Sequence, residues 1–172
     1  VDTPVNEDGS ANLTYFEKAI TSIGEHMNEE TLIVIKSTVP PGTAAFAHSV
    51  VNDVLARRDV SFSFKVVSNP EFLKEGNAIN DCLKPDRVII GADDPDAIET
   101  MKEIYAPFML SHERLFIMDV PSAELTKYAA NIMLAARISL MNELAGLCEQ
   151  VGANIDRVRL GIGSDSRIGY QF

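Results

Sequence analysis

The stretch Thr31-Leu-Ile-Val-Ile-Lys-Ser-Thr-Val-Pro-Pro-Gly-Thr43 decides the fold class of this chain. Residues 31–35 have the length and the β-branched, apolar composition of a strand that is buried on both faces. The Pro-Pro-Gly turn then leads into residues 43–57, where apolar side chains are spaced for one face of a helix. A buried strand that is followed directly by an amphipathic helix is typical of a parallel α/β sheet.

The same alternation continues on both sides of this stretch. It predicts further strands at residues 64–67, 87–90 and 115–118, and further helices at residues 12–28, 95–105, 122–150 and 155–162. We therefore expect an α/β fold, with a partial Rossmann-like, mostly parallel sheet and flanking helices, followed by one long helix. Because the pattern changes at Pro121, we place a domain boundary between residues 1–120 and 121–172, with Ser122 as the N-cap of the long helix and Gly152 as its stop.

Composition narrows the classes of partner. Lys and Arg total 15 against 25 Asp and Glu, a net charge of −10, whereas a nucleic-acid-binding protein normally has a basic excess. The sequence contains no apolar run long enough for a membrane span, so we expect neither a nucleic-acid nor a membrane partner. The isolated Cys82 and Cys148 favour a reducing, cytoplasmic location. The histidines lack metal-ligand spacing, so no metal site is expected.

Polar residues follow the first predicted strand, where ligands bind in open parallel sheets. Ser37 and Thr38 leave the strand as two hydroxyls, and the next helix then begins at Thr43. Free backbone N–H groups at that helix start would favour an anion or a carbonyl oxygen. The alternative is that Ser37 and Thr43 are only turn and cap residues.

Two carboxylates follow the second predicted strand. After the turn signal Asn69-Pro70, Glu71 and Glu75 are four residues apart, so on a helical turn they would share one face. Two carboxylates at the end of a strand are suited to acid–base chemistry. The alternative is a solvated acidic turn with Lys74 as a neighbour.

The long helix carries Lys127 and Asn131, which project together because they are four residues apart. Polar side chains on an otherwise apolar helix face are costly unless they are paired or functional, and this pair could hold an oxyanion or a sugar hydroxyl. The alternative is an ion pair between Glu124 and Lys127 on a wet edge. Arg167 could reach a phosphate or a carboxylate, although plain surface exposure is the default for such a residue.

Taken in order, these segments resemble the UDP-glucose 6-dehydrogenase family of nucleotide-sugar dehydrogenases. The matching stretches span nearly the whole chain: Val1-Asp-Thr-Pro, Asp8-Gly-Ser-Ala, Lys36-Ser-Thr-Val-Pro, Ser68-Asn-Pro-Glu-Phe-Leu-Lys-Glu-Gly, Pro85-Asp-Arg-Val-Ile-Ile-Gly, Ser122-Ala-Glu-Leu-Thr-Lys-Tyr-Ala-Ala-Asn and Arg167-Ile-Gly. GDP-mannose dehydrogenases look similar over the same stretch. The Glu-Gly after Pro-Glu-Phe-Leu-Lys and the Pro-Asp-Arg segment look more like the UDP-glucose branch.

The resemblance implies an activity and a set of roles. The family oxidises the sugar C6 alcohol to a carboxylate with two NAD and one water, through a cysteine thioester, and so supplies polysaccharide precursors. The implied catalytic roles are water binding by Thr38, acid–base chemistry by Glu71, and oxyanion stabilisation and sugar orientation by Lys127 and Asn131. The implied cofactor contacts are Thr3, Ser37 and Glu75. The implied further substrate contacts are the backbone of Phe72 and Leu73, and Arg167, which would reach the substrate of a neighbouring subunit.

The chain also departs from the family pattern. The family's Gly-rich dinucleotide fingerprint belongs upstream of Val1, its nucleophilic cysteine belongs beyond Phe172, and neither Cys82 nor Cys148 matches that cysteine. We therefore expect an inactive fragment: residues 1–120 would be the C-terminal half of the NAD-binding domain, and 121–172 the start of a central domain that forms a homodimer through the 122–150 helix. The alternatives are a GDP-mannose or UDP-N-acetylmannosamine dehydrogenase, or a non-catalytic nucleotide-sugar binding or dimerisation module.

Overall fold

A computed structural model describes residues 1–109 and 114–170 of the chain. The chain divides into two compact units, Val1–Tyr128 and Ala129–Phe172. The strands are β1 (Thr31–Ile35), β2 (Phe64–Ser68), β3 (Val88–Gly91) and β4 (Leu115–Met118). The α-helices are α1 (Thr14–His26), α2 (Thr43–Arg57), α3 (Ala78–Leu83), α4 (Pro95–Tyr105), α5 (Val120–Val151) and α6 (Ile155–Gly163). The predicted α/β fold class, with a mostly parallel sheet and one long helix, is confirmed.

The sheet brings the carboxyl ends of its strands to one row. Its order is β1-β2-β3-β4. The first two strands are parallel, and so are the last two, whereas β2 and β3 are antiparallel and share a single residue pair. The last residues of the strands are paired across the whole sheet, in the order Ile35, Ser68, Gly91 and Met118. The segments that leave the strands therefore all start from this row, but those after β3 and β4 leave it in the opposite direction to those after β1 and β2.

Helices cover both faces of the sheet, as the apolar strands predict. Ile33 and Ile35 of β1 belong to a buried cluster that includes residues of α1 and α2. The alternate residues of β1, Leu32 and Val34, pack against a second cluster that contains Met101 of α4. This alternation follows from the two-residue period of a strand. The last strand differs, because it lies at the edge of the sheet and is only partly covered.

The start of α5 differs from the prediction. Ser122 is not the N-cap: the helix begins at Val120, and the carboxylate of Asp119 accepts a hydrogen bond from the backbone N–H of Ser122 at 2.9 Å. Hydrogen bonds from the side chain and the backbone of Ser122 hold the pKa of Asp119 below its ordinary value. Pro121 lies in the first turn, where its missing N–H would have had no helical partner. A proline that suggested a boundary is therefore part of the helix.

Gly91 allows the first turn of α5 to approach the sheet closely. A Cβ atom placed on Gly91 would lie 2.5 Å from the Cβ of Ala123 and 3.0 Å from the Cα of Val120. Real side chains do not approach this closely, since carbon atoms are in favourable contact at about 3.5–4.0 Å. The turn that leads to Lys127 is therefore seated directly over the row of strand ends.

The second unit contains the remainder of α5 and α6. Gly152 ends α5 with a φ of 73°, as predicted for a glycine stop. Asn154 then caps α6, because its side-chain oxygen accepts a hydrogen bond from the backbone N–H of Arg157 at 3.0 Å. Cys148 is buried. Large apolar side chains are nevertheless exposed along this part of α5: Ile132, Met133, Leu134, Ile138, Leu140, Leu147 and Val151.

Candidate functional site at the strand ends

Lys127 and Glu71 meet on segments that follow the row of strand ends. The Lys127 side chain is only 9% exposed, and its Nζ lies 3.4 Å from Oε1 of Glu71. The same ammonium lies 5.0 Å from the centre of the Phe72 ring. The Glu71 side chain is more open, at 34% exposure. A sheltered cation beside an accessible carboxylate can stabilise negative charge on an oxygen while a proton moves to or from that oxygen.

The segment after β2 is not helical at Glu71. Residues 71–74 have no regular structure, so the expectation that Glu71 and Glu75 share a helix face is wrong. The reason is local: Oε2 of Glu71 accepts a hydrogen bond from the backbone N–H of Leu73 at 2.6 Å, and this side-chain turn takes the place of a helical one. Helix α3 begins only at Ala78. Leu73 and Glu75 are both exposed.

Phe72 lies beside a second cation that the sequence did not single out. The guanidinium carbon of Arg87 is 4.3 Å from the centre of the Phe72 ring. A guanidinium this close to an aromatic ring is attracted by the negative face of the ring. Arg87 and Lys127 therefore both hold the ring that follows Glu71.

Hydroxyl groups cluster where β1 ends. Oγ1 of Thr3 donates to the backbone oxygen of Thr38 at 2.9 Å, and Oγ of Ser37 donates to the backbone oxygen of Val1 at 3.0 Å. Thr3, Ser37 and Thr38 are all partly buried. The structure therefore brings together three of the residues that were predicted to contact a cofactor or a water.

The N-terminus of α2 is already occupied from within the protein. The carboxylate of Glu124 accepts hydrogen bonds from the backbone N–H of Gly42 at 2.6 Å and of Ala44 at 2.8 Å, and Glu124 is 2% exposed. The expectation of free N–H groups for an external anion is therefore wrong at this helix start, and so is the alternative of a wet Glu124–Lys127 ion pair. Thr43 is not the cap, since its hydroxyl donates to the backbone oxygen of Pro40 at 2.6 Å.

Asn69, directly after β2, is hydrogen-bonded to both β1 and β3. It is 1% exposed, and its side-chain Nδ2 donates to the backbone oxygen of Ile89 on β3 at 2.8 Å. Its Oδ1 accepts from the hydroxyl of Tyr105 at 2.6 Å and from Nζ of Lys36 at 3.1 Å. Its backbone N–H donates to the oxygen of Ile35 on β1. The sequence showed Asn69 only as a turn signal, although its position directly after a buried strand could have indicated a buried polar role.

Two predicted site residues lie in the second unit. Asn131 is exposed on α5. Arg167 is also exposed, and its guanidinium forms a fork with Asp165, with Nη2 to Oδ2 at 2.7 Å and Nε to Oδ1 at 3.0 Å. These contacts hold the pKa of Asp165 below its ordinary value. The free guanidinium that the sequence suggested is thus engaged by a neighbour two residues away.

Within residues 1–109 and 114–170, no group of three or more His, Cys, Asp or Glu side chains is placed to hold a metal ion. None of the helices in the same residues is both long enough and apolar enough to cross a membrane.

Curated relatives match the chain along its whole length. The UDP-glucose 6-dehydrogenase of Pseudomonas aeruginosa is 49% identical over 172 residues, which are 100% of this chain and 38% of that protein. The UDP-glucose 6-dehydrogenase TuaD of Bacillus subtilis is 45% identical over 172 residues, 100% of this chain and 36% of that protein. The chain therefore spans less than two fifths of these relatives.

Solved structures and family models agree with these relatives. The UDP-glucose dehydrogenase of Pyrobaculum islandicum has a TM-score of 0.87 and 40% identity, over 98% of this chain and 38% of that one. A GDP-mannose dehydrogenase of Pseudomonas aeruginosa has a TM-score of 0.85 and 30% identity, over 96% of this chain and 38% of that one. Residues 1–109 match the NAD binding domain of the UDP-glucose/GDP-mannose dehydrogenase family, and residues 121–172 match its central domain. The chain belongs to the UDP-glucose/GDP-mannose dehydrogenase family.

Proposed function

We propose that the full gene product is an NAD-dependent UDP-glucose 6-dehydrogenase that oxidises UDP-glucose to UDP-glucuronate in two hydride transfers through a cysteine thioester. The observation that carries this proposal is the sheltered Lys127 ammonium 3.4 Å from the Glu71 carboxylate, on segments that follow the strand ends. The choice of UDP-glucose as the substrate is supported by relatives named UDP-glucose 6-dehydrogenase, such as the one that is 49% identical over the whole chain.

In this proposal Glu71 and Lys127 have different roles in the oxidation of the alcohol. Removing a hydride from C6 requires that the hydroxyl also lose its proton, and Glu71, the more open partner, is the general acid/base for that proton. Lys127 stabilises the negative charge that develops on the oxygen, which a sheltered ammonium does far better than an exposed one. Thr38 holds the water that is consumed in the final hydrolysis.

The described residues fit the uncharged part of NAD. Thr3 and Ser37 supply hydroxyls beside the end of β1, and they suit ribose hydroxyls or a carboxamide. The start of α2 does not fit a pyrophosphate, because Glu124 already fills it. NAD accepts the hydride when it is bound, and we propose Thr3, Ser37 and Glu75 as its contacts in this chain.

The remaining substrate contacts follow the resemblance. We propose that the backbone of Phe72 and Leu73 contacts the nucleotide sugar and that Asn131 orients the sugar with Lys127. Arg167 would serve the substrate of a neighbouring subunit, for which its fork with Asp165 would have to open.

We also propose the domain organisation that the sequence suggests. Residues 1–120 belong to the NAD-binding domain and residues 121–172 to the start of a dimerisation domain. A homodimer through residues 122–150 is supported by the exposed apolar side chains of α5. The free thiols of Cys82 and Cys148 are in keeping with a cytoplasmic protein, and we propose neither a nucleic-acid nor a membrane partner. Because neither thiol stands in the family's nucleophile position, the 172-residue chain alone should be inactive.

The test is NADH formation by the full gene product with UDP-glucose, GDP-mannose and UDP-N-acetylmannosamine in parallel. We expect two NADH per UDP-glucose and little turnover of the other two. A GDP-mannose dehydrogenase is the second candidate, because the TM-score of 0.85 to one such enzyme is close to that of the UDP-glucose enzyme. NADH from GDP-mannose alone would favour it, and no NADH from any of the three would favour a non-catalytic module.

Variants of the full gene product test the roles of single residues. Lys127→Met should lower kcat by about 10²–10³-fold if the ammonium stabilises an oxyanion. Lys102→Met is the matched control, since Lys102 is a partly exposed lysine of α4 that pairs with Glu99 one turn away. For the dimer, sedimentation of Ile138→Asp against the unmodified protein should show a shift towards monomer. An unmodified protein that is already monomeric would contradict the dimer.

A further inference from the structure

Glu124 is a buried carboxylate that the chemistry above does not use. It lies on α5, and its two oxygens accept hydrogen bonds from the first N–H groups of α2, those of Gly42 and Ala44, at 2.6 Å and 2.8 Å. Helix α2 has no capping side chain of its own, since its N-cap residue is Gly42. A residue from the other end of the unit therefore supplies the cap.

The position of this carboxylate links two parts of the candidate site. Glu124 lies one helical turn before Lys127 on the same helix. The N–H groups that it binds close the loop of residues 36–42, which carries Ser37 and Thr38. The Glu124 side chain thus holds the loop that carries Ser37 and Thr38 against the helix that carries Lys127.

The contact is short, buried and charge-assisted, which makes it a stiff link. Hydrogen bonds to an ionised acceptor are roughly twice as strong as neutral ones, and the positive end of a helix dipole stabilises a carboxylate. Both oxygens of Glu124 are engaged and the residue is only 2% exposed. Its carboxylate therefore serves the start of α2.

A second contact fixes the same turn. Ala123, the neighbour of Glu124, lies against Gly91 so closely that any side chain at position 91 would collide with it. The first turn of α5 therefore packs against the strand ends through Ala123 and is hydrogen-bonded to α2 through Glu124. These two contacts restrict its movement relative to Thr38.

We infer that Glu124 is a positioning residue of the proposed dehydrogenase: by capping α2 from α5, it sets the place of the Ser37–Thr38 segment relative to Lys127. The inference rests on the proposed function. A displacement of about 1 Å at a reacting centre can cost about 10²-fold in rate. Loss of this contact should therefore lower kcat while leaving the affinity for the nucleotide sugar nearly unchanged, because both oxygens of Glu124 face the backbone of α2.

The experiment compares two cap variants of the full gene product. Glu124→Gln keeps the size of the side chain but turns an amide N–H₂ towards a backbone N–H. Asp94→Asn is the matched control, since Asp94 caps α4 through the N–H of Ala97 at 2.9 Å, on a helix that the proposed chemistry does not use. Steady-state kinetics with UDP-glucose and NAD are measured well below the melting midpoint of each variant.

We expect Glu124→Gln to lower kcat by about 10–100-fold with the KM for UDP-glucose within about twofold, and Asp94→Asn to lower the melting midpoint but keep kcat. If Glu124→Gln does not fold, Glu124→Asp replaces it, because it keeps the charge at a shorter reach, and a smaller fall in kcat is expected. An unchanged kcat in the folded Glu124 variant, or an equal fall in Asp94→Asn, overturns the inference. An unmodified protein that makes no NADH removes the proposed function itself.

Discussion

The close contact between Gly91 and α5 predicts whether Gly91→Ala stabilises or destabilises the protein. Gly91 lies in a strand and has no positive φ, so Gly91→Ala would stabilise the chain by about 0.4–1 kcal/mol if the added methyl group had room. It has none, because the new Cβ would lie 2.5 Å from the Cβ of Ala123 and 3.0 Å from the backbone of Val120. Both atoms are fixed to the helix, so α5 would have to move by about 1 Å to reach normal carbon–carbon contact.

The magnitude follows from the cost of such overpacking, about 1–3 kcal/mol. Subtracting the gain in the unfolded state, about 0.4–1 kcal/mol, from the middle of this range, about 2 kcal/mol, leaves a net destabilisation of about 1–1.6 kcal/mol. With a urea m-value of about 2 kcal/mol per molar, the unfolding midpoint should fall by about 0.5–1 M. The chain contains no tryptophan, so far-ultraviolet circular dichroism is the appropriate signal.

The swap Gly91→Ala with Ala123→Gly provides the control. Ala123→Gly alone costs about 1 kcal/mol of helix propensity, but it removes the atom nearest to the new methyl group. The double variant should therefore be more stable than the sum of the two single changes. A Gly91→Ala chain as stable as the original, or single effects that add to within about 0.5 kcal/mol, would refute the close approach of α5.

Three further predictions concern other contacts of the chain. Asn69→Ala should lower the free energy of unfolding by about 2–3 kcal/mol, because buried polar groups lose their partner; urea titration checks it. The pKa of Asp94 is lowered, first by its hydrogen bond with Lys65. The ionised carboxylate therefore stabilises the fold above pH 3.8, its ordinary pKa, and this effect is lost as the pH falls through the lowered pKa. When the melting midpoint is measured against pH, Asp94→Asn should make its fall at acid pH less steep. Gly152→Ala should lower the free energy of unfolding by about 1 kcal/mol, because φ is positive at this position. Gly146→Ala should raise it by about 0.5–1 kcal/mol, because Gly146 lies in the helix interior with open space around it. Urea titration measures both.

Local patterns explain how much of the fold could be predicted. The strand at 31–35 and the helices at 43–57 and 95–105 have the predicted bounds, because apolar periodicity and the glycine and proline at their ends act within a few residues. Helix α3 was missed because it has six residues and none of them is buried, so it carries no periodic signal. The start of α5 was misplaced because Pro121 suggested a break.

The candidate site was predicted in part, and the contacts that the sequence did not predict include one between residues far apart in the chain. The residues after β1 and β2 could be proposed from their place at strand ends, and Lys127 does lie beside Glu71. The cap by Glu124 joins residues about 80 positions apart, which no local pattern encodes. The side-chain turn at Glu71 depends on one hydrogen bond that competes with a helix, and sequence spacing does not decide between them.

The single residue pair between β2 and β3 has a mechanical consequence. A ladder joins the strands within each parallel pair, whereas in the described residues the pairing between the two pairs is Ser68 with Gly91, supplemented by the Asn69 side chain and by the packing of Val67 against Val88 and Ile90. Because few hydrogen bonds of the described residues cross this boundary, we expect bending to cost less here than within either parallel pair. Glu71 follows one pair of strands and Lys127 follows the other. A bend there would change the distance between Glu71 and Lys127, so we expect the hydrogen bond from Asn69 to Ile89 to help keep that distance constant.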